Sequence, residues 1–261
     1  MPSGPHHENT SSHDPGPLWE APPQSPLVLD EDTIQIWRLP LDPPAQWLES
    51  GRQMLTPEET RRADRFIRAE HGRRFIAARA ALRVLLAGYL NAEPEDLRLT
   101  QNEYGKPYLA GDHENSRVQF NLSHSCELGL VAFCLDAPIG IDIEQNRPRP
   151  DMLKIAKRFF APQEVDALLA VEPEGQHQAF YTCWTRKEAY IKARGEGLHR
   201  SLKRFQVSLA PGDPPALLCT DDPPDESGQW TLYAIEPGAG YTAALAARGS
   251  PRQIRCWVFQ P

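Results

Sequence analysis

The stretch Ile139-Gly140-Ile141-Asp142-Ile143-Glu144 alternates isoleucine with Gly, Asp and Glu. In an extended strand alternate side chains share a face. It therefore predicts a strand with Ile139, Ile141 and Ile143 turned into a core and Asp142 beside Glu144 on the opposite face. Two carboxylates so close repel each other unless a cation lies between them. A hard divalent ion such as Mg2+ suits that place, because it takes one or two protein carboxylates together with the oxygens of a bound phosphate. A strand end dipping into water with two solvated acids would give the same pattern.

The surrounding chain has 261 residues, enough for one large domain or two small ones, and a net charge of -7. A nucleic-acid binder carries a basic surplus, so no nucleic acid is expected as a partner. No apolar run approaches the roughly 18 residues that span a bilayer, and the N-terminus lacks the apolar core of a signal peptide. The expectation is a cytoplasmic protein that does not enter the membrane. Cys126, Cys134, Cys183, Cys219 and Cys256 are scattered, without a CxxC pair. They read as reduced, mostly buried small hydrophobes.

Residues 1–32 are rich in Pro, Ser and His and read as a disordered tail, in which His6, His7 and His13 make a poor metal site. Ile34, Ile36 and Leu39 alternate as a first strand. Thr56-Pro57-Glu58-Glu59 is a helix start with a capping threonine, proline at the first position and acids in the first turn. Behind it come Arg61, Arg62, Arg65, Arg68, Arg73, Arg74, Arg79 and Arg83, with Phe75, Ala78, Leu82, Leu86 and Tyr89 as an apolar stripe. The arginines are either a solvated face or an anion site, since the guanidinium fork suits phosphate. Short strands around 97–100 and 108–110 flank the turn Glu103-Tyr104-Gly105-Lys106-Pro107, which leaves Lys106 projecting. A strand from Val118 ends at Ser123-His124-Ser125, whose hydroxyls and imidazole either donate to phosphate or close a local turn. An apolar strand, Leu128 to Leu135, then leads through Pro138 into the carboxylate strand.

Beyond it, Lys154 to Phe160 is helical, and Glu164 sits in the first turn of the next helix, where a carboxylate favours the macrodipole. The second informative stretch is Trp184-Thr185-Arg186-Lys187-Glu188-Ala189-Tyr190-Ile191-Lys192, with Trp184, Glu188 and Lys192 on one helix face. As a plain ion pair, Glu188 and Lys192 would contribute about 0.3–0.5 kcal/mol. Gly195, Gly197 and Leu198 end the helix, and the remainder is mostly strand. Both halves combine helices with antiparallel strands, which predicts two α+β lobes, 33–138 and 139–261.

These residues resemble the 4'-phosphopantetheinyl transferases, specifically the broad-range type that activates nonribosomal peptide and polyketide synthases. The resemblance runs from Thr56 to Leu209 and rests on I-G-I-D-I-E at 139–144 and W-T-R-K-E-A-Y-I-K at 184–192, supported by Glu103 to Pro107 and Asn121 to Ser125. It implies two similar α+β lobes related by a pseudo-twofold axis, in a monomer, with coenzyme A and Mg2+ in the cleft between them. Asp142, Glu144 and Glu188 would be the magnesium carboxylates, and Lys192 would contact the pyrophosphate. Lys106, Pro107, Ser123 and His124 would bind the nucleotide and its 3'-phosphate, with Arg62 and Arg74 nearby. Glu164 matches a further acid found near the site in some members, whereas the arginine-rich helix differs from relatives that carry lysines there.

The activity so implied is transfer of 4'-phosphopantetheine from coenzyme A to a serine of an apo acyl or peptidyl carrier protein, releasing adenosine 3',5'-bisphosphate and serving fatty-acid, polyketide or peptide synthesis. Glu188 is the first choice of general base, with Glu144 or a water as the alternatives. The rival readings are a non-catalytic module that binds coenzyme A or a carrier protein, and a magnesium-dependent nucleotide hydrolase.

Overall fold

The computed structural model describes residues 19–23, 26–197, 200–221 and 226–261. After a short β1 (Trp19–Glu20), the first lobe runs β2 (Thr33–Pro40), α1 (Ala45–Gln53), α2 (Pro57–Asp64) and α3 (Ala69–Leu90). Two hairpins follow, β3 (Arg98–Gln101) with β4 (Pro107–Ala110), and β5 (Val118–Ser125) with β6 (Leu128–Leu135). The second lobe repeats the order: β7 (Ile139–Gln145), α4 (Met152–Phe159), α5 (Pro162–Ala170), α6 (Pro173–Arg194), hairpin β8 (Phe205–Val207) and β9 (Leu217–Thr220), and hairpin β10 (Trp230–Ile235) and β11 (Tyr241–Arg248). The third helix of each lobe has 22 residues, and the sheet orders β2-β6-β5 and β7-β11-β10 correspond strand for strand. The duplication shows in the elements although the residues do not repeat.

Strand alternation builds the layers. Ile34, Ile36, Leu130 and Ala132 from one sheet meet Ile139, Ile141, Ile143 and Leu245 from the other in a shared core. The outer face of the first sheet, with Trp37, Val131 and Phe133, packs on Leu82 and Leu86 of α3. The outer face of the second, with Leu232, Ala244 and Ala246, packs on Phe180, Tyr190 and Ile191 of α6. The helix start at Thr56 forms as expected, since Thr56 and Glu59 make a reciprocal capping box.

The two ends of the chain depart from the expected boundaries. β12 (Gln253–Val258) pairs in parallel with β2, so the sheet of the first lobe is completed by the last strand of the chain and 139–261 is not self-contained. An uncovered β2 edge would expose its backbone donors and acceptors, and β12 satisfies them. Trp19–Glu20 in turn pairs with β12, and Leu27 and Leu29 pack against the first-lobe core. Residues 19–23 and 26–32 of the stretch read as a disordered tail therefore carry defined structure. The average composition of that stretch conceals three large apolar side chains, each of which finds an apolar surface. Residues 1–18, with His6, His7 and His13, lie outside the described residues, as does Leu198. All five cysteines are free, and three of them are buried. No described helix is long and apolar enough to cross a membrane.

Candidate active site

The site is built on a seam between two sheet edges. β5 and β7 border different sheets, and side chains rather than a backbone ladder join them. Asn121 Oδ1 accepts from the Ile141 N–H at 2.9 Å. Ser123 Oγ donates to Asp142 Oδ1 at 3.0 Å, and Ser125 Oγ donates to Glu144 Oε2 at 3.1 Å while accepting from the Gln145 N–H. The strand expected to end before Ser123-His124-Ser125 continues through all three residues, because they pair with Leu130, Gly129 and Leu128 of β6. Strand alternation then places Ser123 and Ser125 on the side where each meets one carboxylate of β7.

Gly140 brings the third element in. It shares a strand face with Asp142 and Glu144, and a Cβ there would lie 2.2 Å from the Ala189 carbonyl oxygen and 2.2 Å from the Ala193 nitrogen. Without a side chain at 140, and with only alanines at 189 and 193, the backbone of α6 rests directly on β7. This close approach carries Glu188 and Lys192 to the two acids. Lys192 does not pair with Glu188 as a simple helix reading suggests. Its Nζ donates to Asp142 Oδ1 at 2.5 Å and to Ser123 Oγ at 2.9 Å. Trp184, on the same helix face, stacks on Phe180, meets Phe159 edge-on and Phe160 at a tilt, and lies partly buried against the core.

The acids affect one another. Burial, then Asp142, and in smaller measure Glu144, push the Glu188 carboxyl up to about 7, with Lys192 pulling the other way. Burial and then Asp142 raise Glu144 as well. Asp142 Oδ2 is buried with no hydrogen-bond partner, although Oδ1 of the same carboxylate has two. Among the described residues no three His, Cys, Asp or Glu side chains converge closely enough to enclose an ion by themselves. An orphaned carboxylate oxygen beside two acids with raised pKa nevertheless fits Mg2+, which binds through one or two carboxylates and draws its other ligands from phosphate and water.

A cavity of about 430 Å³ opens beside Glu188 and Lys192, walled by Asn121, Leu122, Ile191 and the turn from Tyr104 to Pro107. Lys106 is not the projecting residue that the turn suggested. Its Nζ donates to the Ile139 carbonyl at 3.0 Å and the Ala193 carbonyl at 3.1 Å, and burial lowers its ammonium to about 8. Pro107 lines the cavity and starts β4. His124 keeps solvent contact, yet partial enclosure and then Lys192, Arg62 and Arg74 hold its imidazole below the ordinary value. The last two therefore face the same region as His124. Arg74 is held by Asp42 at 2.7 Å, and Arg62 lies 5.1 Å over the Phe75 ring.

Other parts of the arginine-rich stretch are structural. Arg79 and Arg83 both reach Glu59, at 2.8 and 2.9 Å, and Arg83 is fully buried, also donating to the carbonyls of Pro94 and Leu97. Glu164, which the resemblance offered as a site acid, is buried elsewhere. It pairs with Lys187 at 2.8 Å and accepts from the N–H groups of Ala161 and Val207.

Comparison with known proteins agrees with this arrangement. Residues 138–246 match the profile of the 4'-phosphopantetheinyl transferase superfamily, and residues 41–135 match that of the 4'-phosphopantetheinyl transferase N-terminal domain. The chain is 38% identical to the 4'-phosphopantetheinyl transferase HetI of Nostoc sp., over 91% of its own length and 96% of the relative. It belongs to the 4'-phosphopantetheinyl transferase superfamily. With the 4'-phosphopantetheinyl transferase Sfp of Bacillus subtilis it shares 32% identity, over 82% of this chain and 92% of that one. With the human L-aminoadipate-semialdehyde dehydrogenase-phosphopantetheinyl transferase it shares 33%, over 64% and 56%. The protein is thus an enzyme of phosphopantetheinyl transfer, with two α+β lobes, and the seam lies where they meet. Sequence reasoning gave no site role of their own to Asn121 or Gly140, and it read the Ser125 hydroxyl as a phosphate donor or turn former, where the structure sets it on Glu144. A lone glycine among strand isoleucines was the legible signal for one of them, since it marks a close backbone approach.

Proposed function

We propose that this transferase moves 4'-phosphopantetheine from coenzyme A to a serine hydroxyl of an apo acyl or peptidyl carrier protein, in a Mg2+-dependent reaction that releases adenosine 3',5'-bisphosphate. The observation that carries this reading is the pairing of Lys192 on α6 with Asp142 on β7, to which Glu144 and Glu188 are both electrostatically coupled, with one buried carboxylate oxygen left unpaired. Binding alone gives no reason to gather three acids around an anionic cosubstrate. Asp142 and Glu144 would hold the ion, with Glu188 completing the acidic set. When bound, Mg2+ would supply charge neutralisation at the diphosphate.

The protein's own groups carry the remaining steps. Lys192 moves its Nζ from Asp142 to the phosphate that leaves with the nucleotide and stabilises the charge developing there. Glu188, with a carboxyl near 7, is suited to accept the serine proton at neutral pH. The serine oxygen forms a bond to the β-phosphorus, the bond from that phosphorus to the bridging oxygen breaks, and the bridging oxygen departs on the nucleotide. Ser123 and Ser125 orient the two β7 carboxylates. Arg62, Arg74 and His124 receive the nucleotide end, and Pro107 borders the cavity beside it.

Incubation with coenzyme A, Mg2+ and an apo carrier domain, followed by intact-mass spectrometry of the carrier, tests the proposal. Addition of the phosphopantetheine mass supports it. Binding without modification would favour a binding module, and nucleotide release without a carrier would favour a hydrolase.

A further inference from the structure

The turn between β3 and β4 belongs to the first lobe, yet its polar groups are spent on the end of α6 in the second. Asn102 organises the turn by accepting from the N–H groups of Tyr104 and Lys106 at 3.0 and 2.9 Å. The Asn102 amide then donates to the Gly195 carbonyl at 2.8 Å, and Lys106 Nζ reaches Ala193 and Ile139 together. The last carbonyls of a helix lack intrahelical donors, and the C-terminus carries partial negative charge that a cation favours. Gly195, left-handed at φ 73°, turns its own N–H back to the carbonyls of Ile191 and Lys192 and leaves that of Ala193 to Lys106. One ammonium thus bridges the end of α6 and the start of β7. Ala193 directly follows Lys192, and Ile139 directly precedes the glycine on which α6 rests.

We propose that Lys106 is a positioning residue that caps α6 from the other lobe and sets where Glu188 and Lys192 stand against Asp142, rather than a ligand of the coenzyme's phosphate. The inference rests on the function proposed above. Two of its three donors are already committed to carbonyls that hold the seam closed. Removing the ammonium frees the last turn of α6 while leaving Arg62, Arg74 and His124 to meet the nucleotide.

The test compares Lys106→Met with the wild type, using coenzyme A and 3'-dephospho-coenzyme A as donors, and follows amide hydrogen exchange across α6. A positioning role predicts that kcat falls by about 10- to 100-fold with both donors, that the KM ratio between them is unchanged, and that exchange rises in the last turn of α6. A rise in KM confined to coenzyme A, erasing its preference over the dephospho form, would make Lys106 a phosphate ligand and overturn the proposal. Unchanged exchange in α6 would overturn it as well. Should Lys106→Met fail to fold, Lys106→Gln keeps a shorter, neutral N–H donor for these carbonyls; a positioning role then predicts a smaller fall in kcat, equal for both donors, with the KM ratio unchanged, and a KM rise confined to coenzyme A overturns the proposal. The exchange measurement needs no activity, so an inactive wild type would sink the functional reading and leave this inference still decided.

Discussion

At the scale of single residues, the site brings together acids that resist ionising together. Glu188 has an ordinary value of 4.5 and is held at about 7. Between those two values the folded protein keeps a proton that the unfolded chain has already released. Its stability therefore falls as pH rises through this window and levels off above about 7. In metal-free protein, the decline in melting temperature from pH 4.5 to 7 should be steeper than in Glu188→Gln, by the equivalent of up to about 3 kcal/mol. Equal slopes would show that Glu188 is not the residue that titrates. The same substitution keeps the side-chain shape and removes the acid, so transfer to an apo carrier should drop by at least about 100-fold while the melting curve stays cooperative. Transfer at the wild-type rate would remove Glu188 from the chemistry.

At the scale of elements, the decisive contact is α6 lying on β7 at Gly140. A methyl group there meets backbone atoms at 2.2 Å, which no side-chain movement relieves. Gly140→Ala should lower stability by about 1–3 kcal/mol and reduce transfer by about 100-fold through displacement of Glu188 and Lys192. Thermal melts and rates of carrier modification check the two effects, and an unperturbed rate would contradict the seam geometry. β7 and the second half of α6 were both legible in the sequence, the one from an unbroken alternation and the other from Trp184, Glu188 and Lys192 set four apart, whereas the first turns of α6 read as a polar loop. What lay between them was not. That Ser125 would reach Glu144, that Asn121 would receive the Ile141 N–H, and that Lys106 would turn inward all depend on contacts between residues at least 19 apart along the chain. Local periodicity carries no information about such pairings. Glu164 misled for a related reason: a first-turn acid favours its helix dipole whether it ends in solvent, at a catalytic centre or, as here, against a buried lysine.

At the scale of the whole molecule, two lobes of matching element order are closed by strands from both ends of the chain. β12 lies between β1 and β2, so the first lobe depends on residues more than 200 positions away. Truncation after residue 250 should leave the β2 edge open and abolish cooperative melting of the entire chain, as read by circular dichroism. A truncated protein that melts like the full chain would show that the lobes fold without the shared strand. The central claim concerns the seam at the other border of that sheet, where β5 meets β7 and where carboxylates of β7 and charged groups of α6 would handle one cation and one diphosphate. Crystals grown with coenzyme A and Mn2+ in place of Mg2+, examined by anomalous scattering, test it most directly. The account predicts one metal peak against Asp142 Oδ2 and Glu144, bridged to the diphosphate, with Lys192 Nζ moved from Asp142 to a phosphate oxygen. A peak away from both carboxylates, or Lys192 still bound to Asp142 with the diphosphate in place, would contradict it.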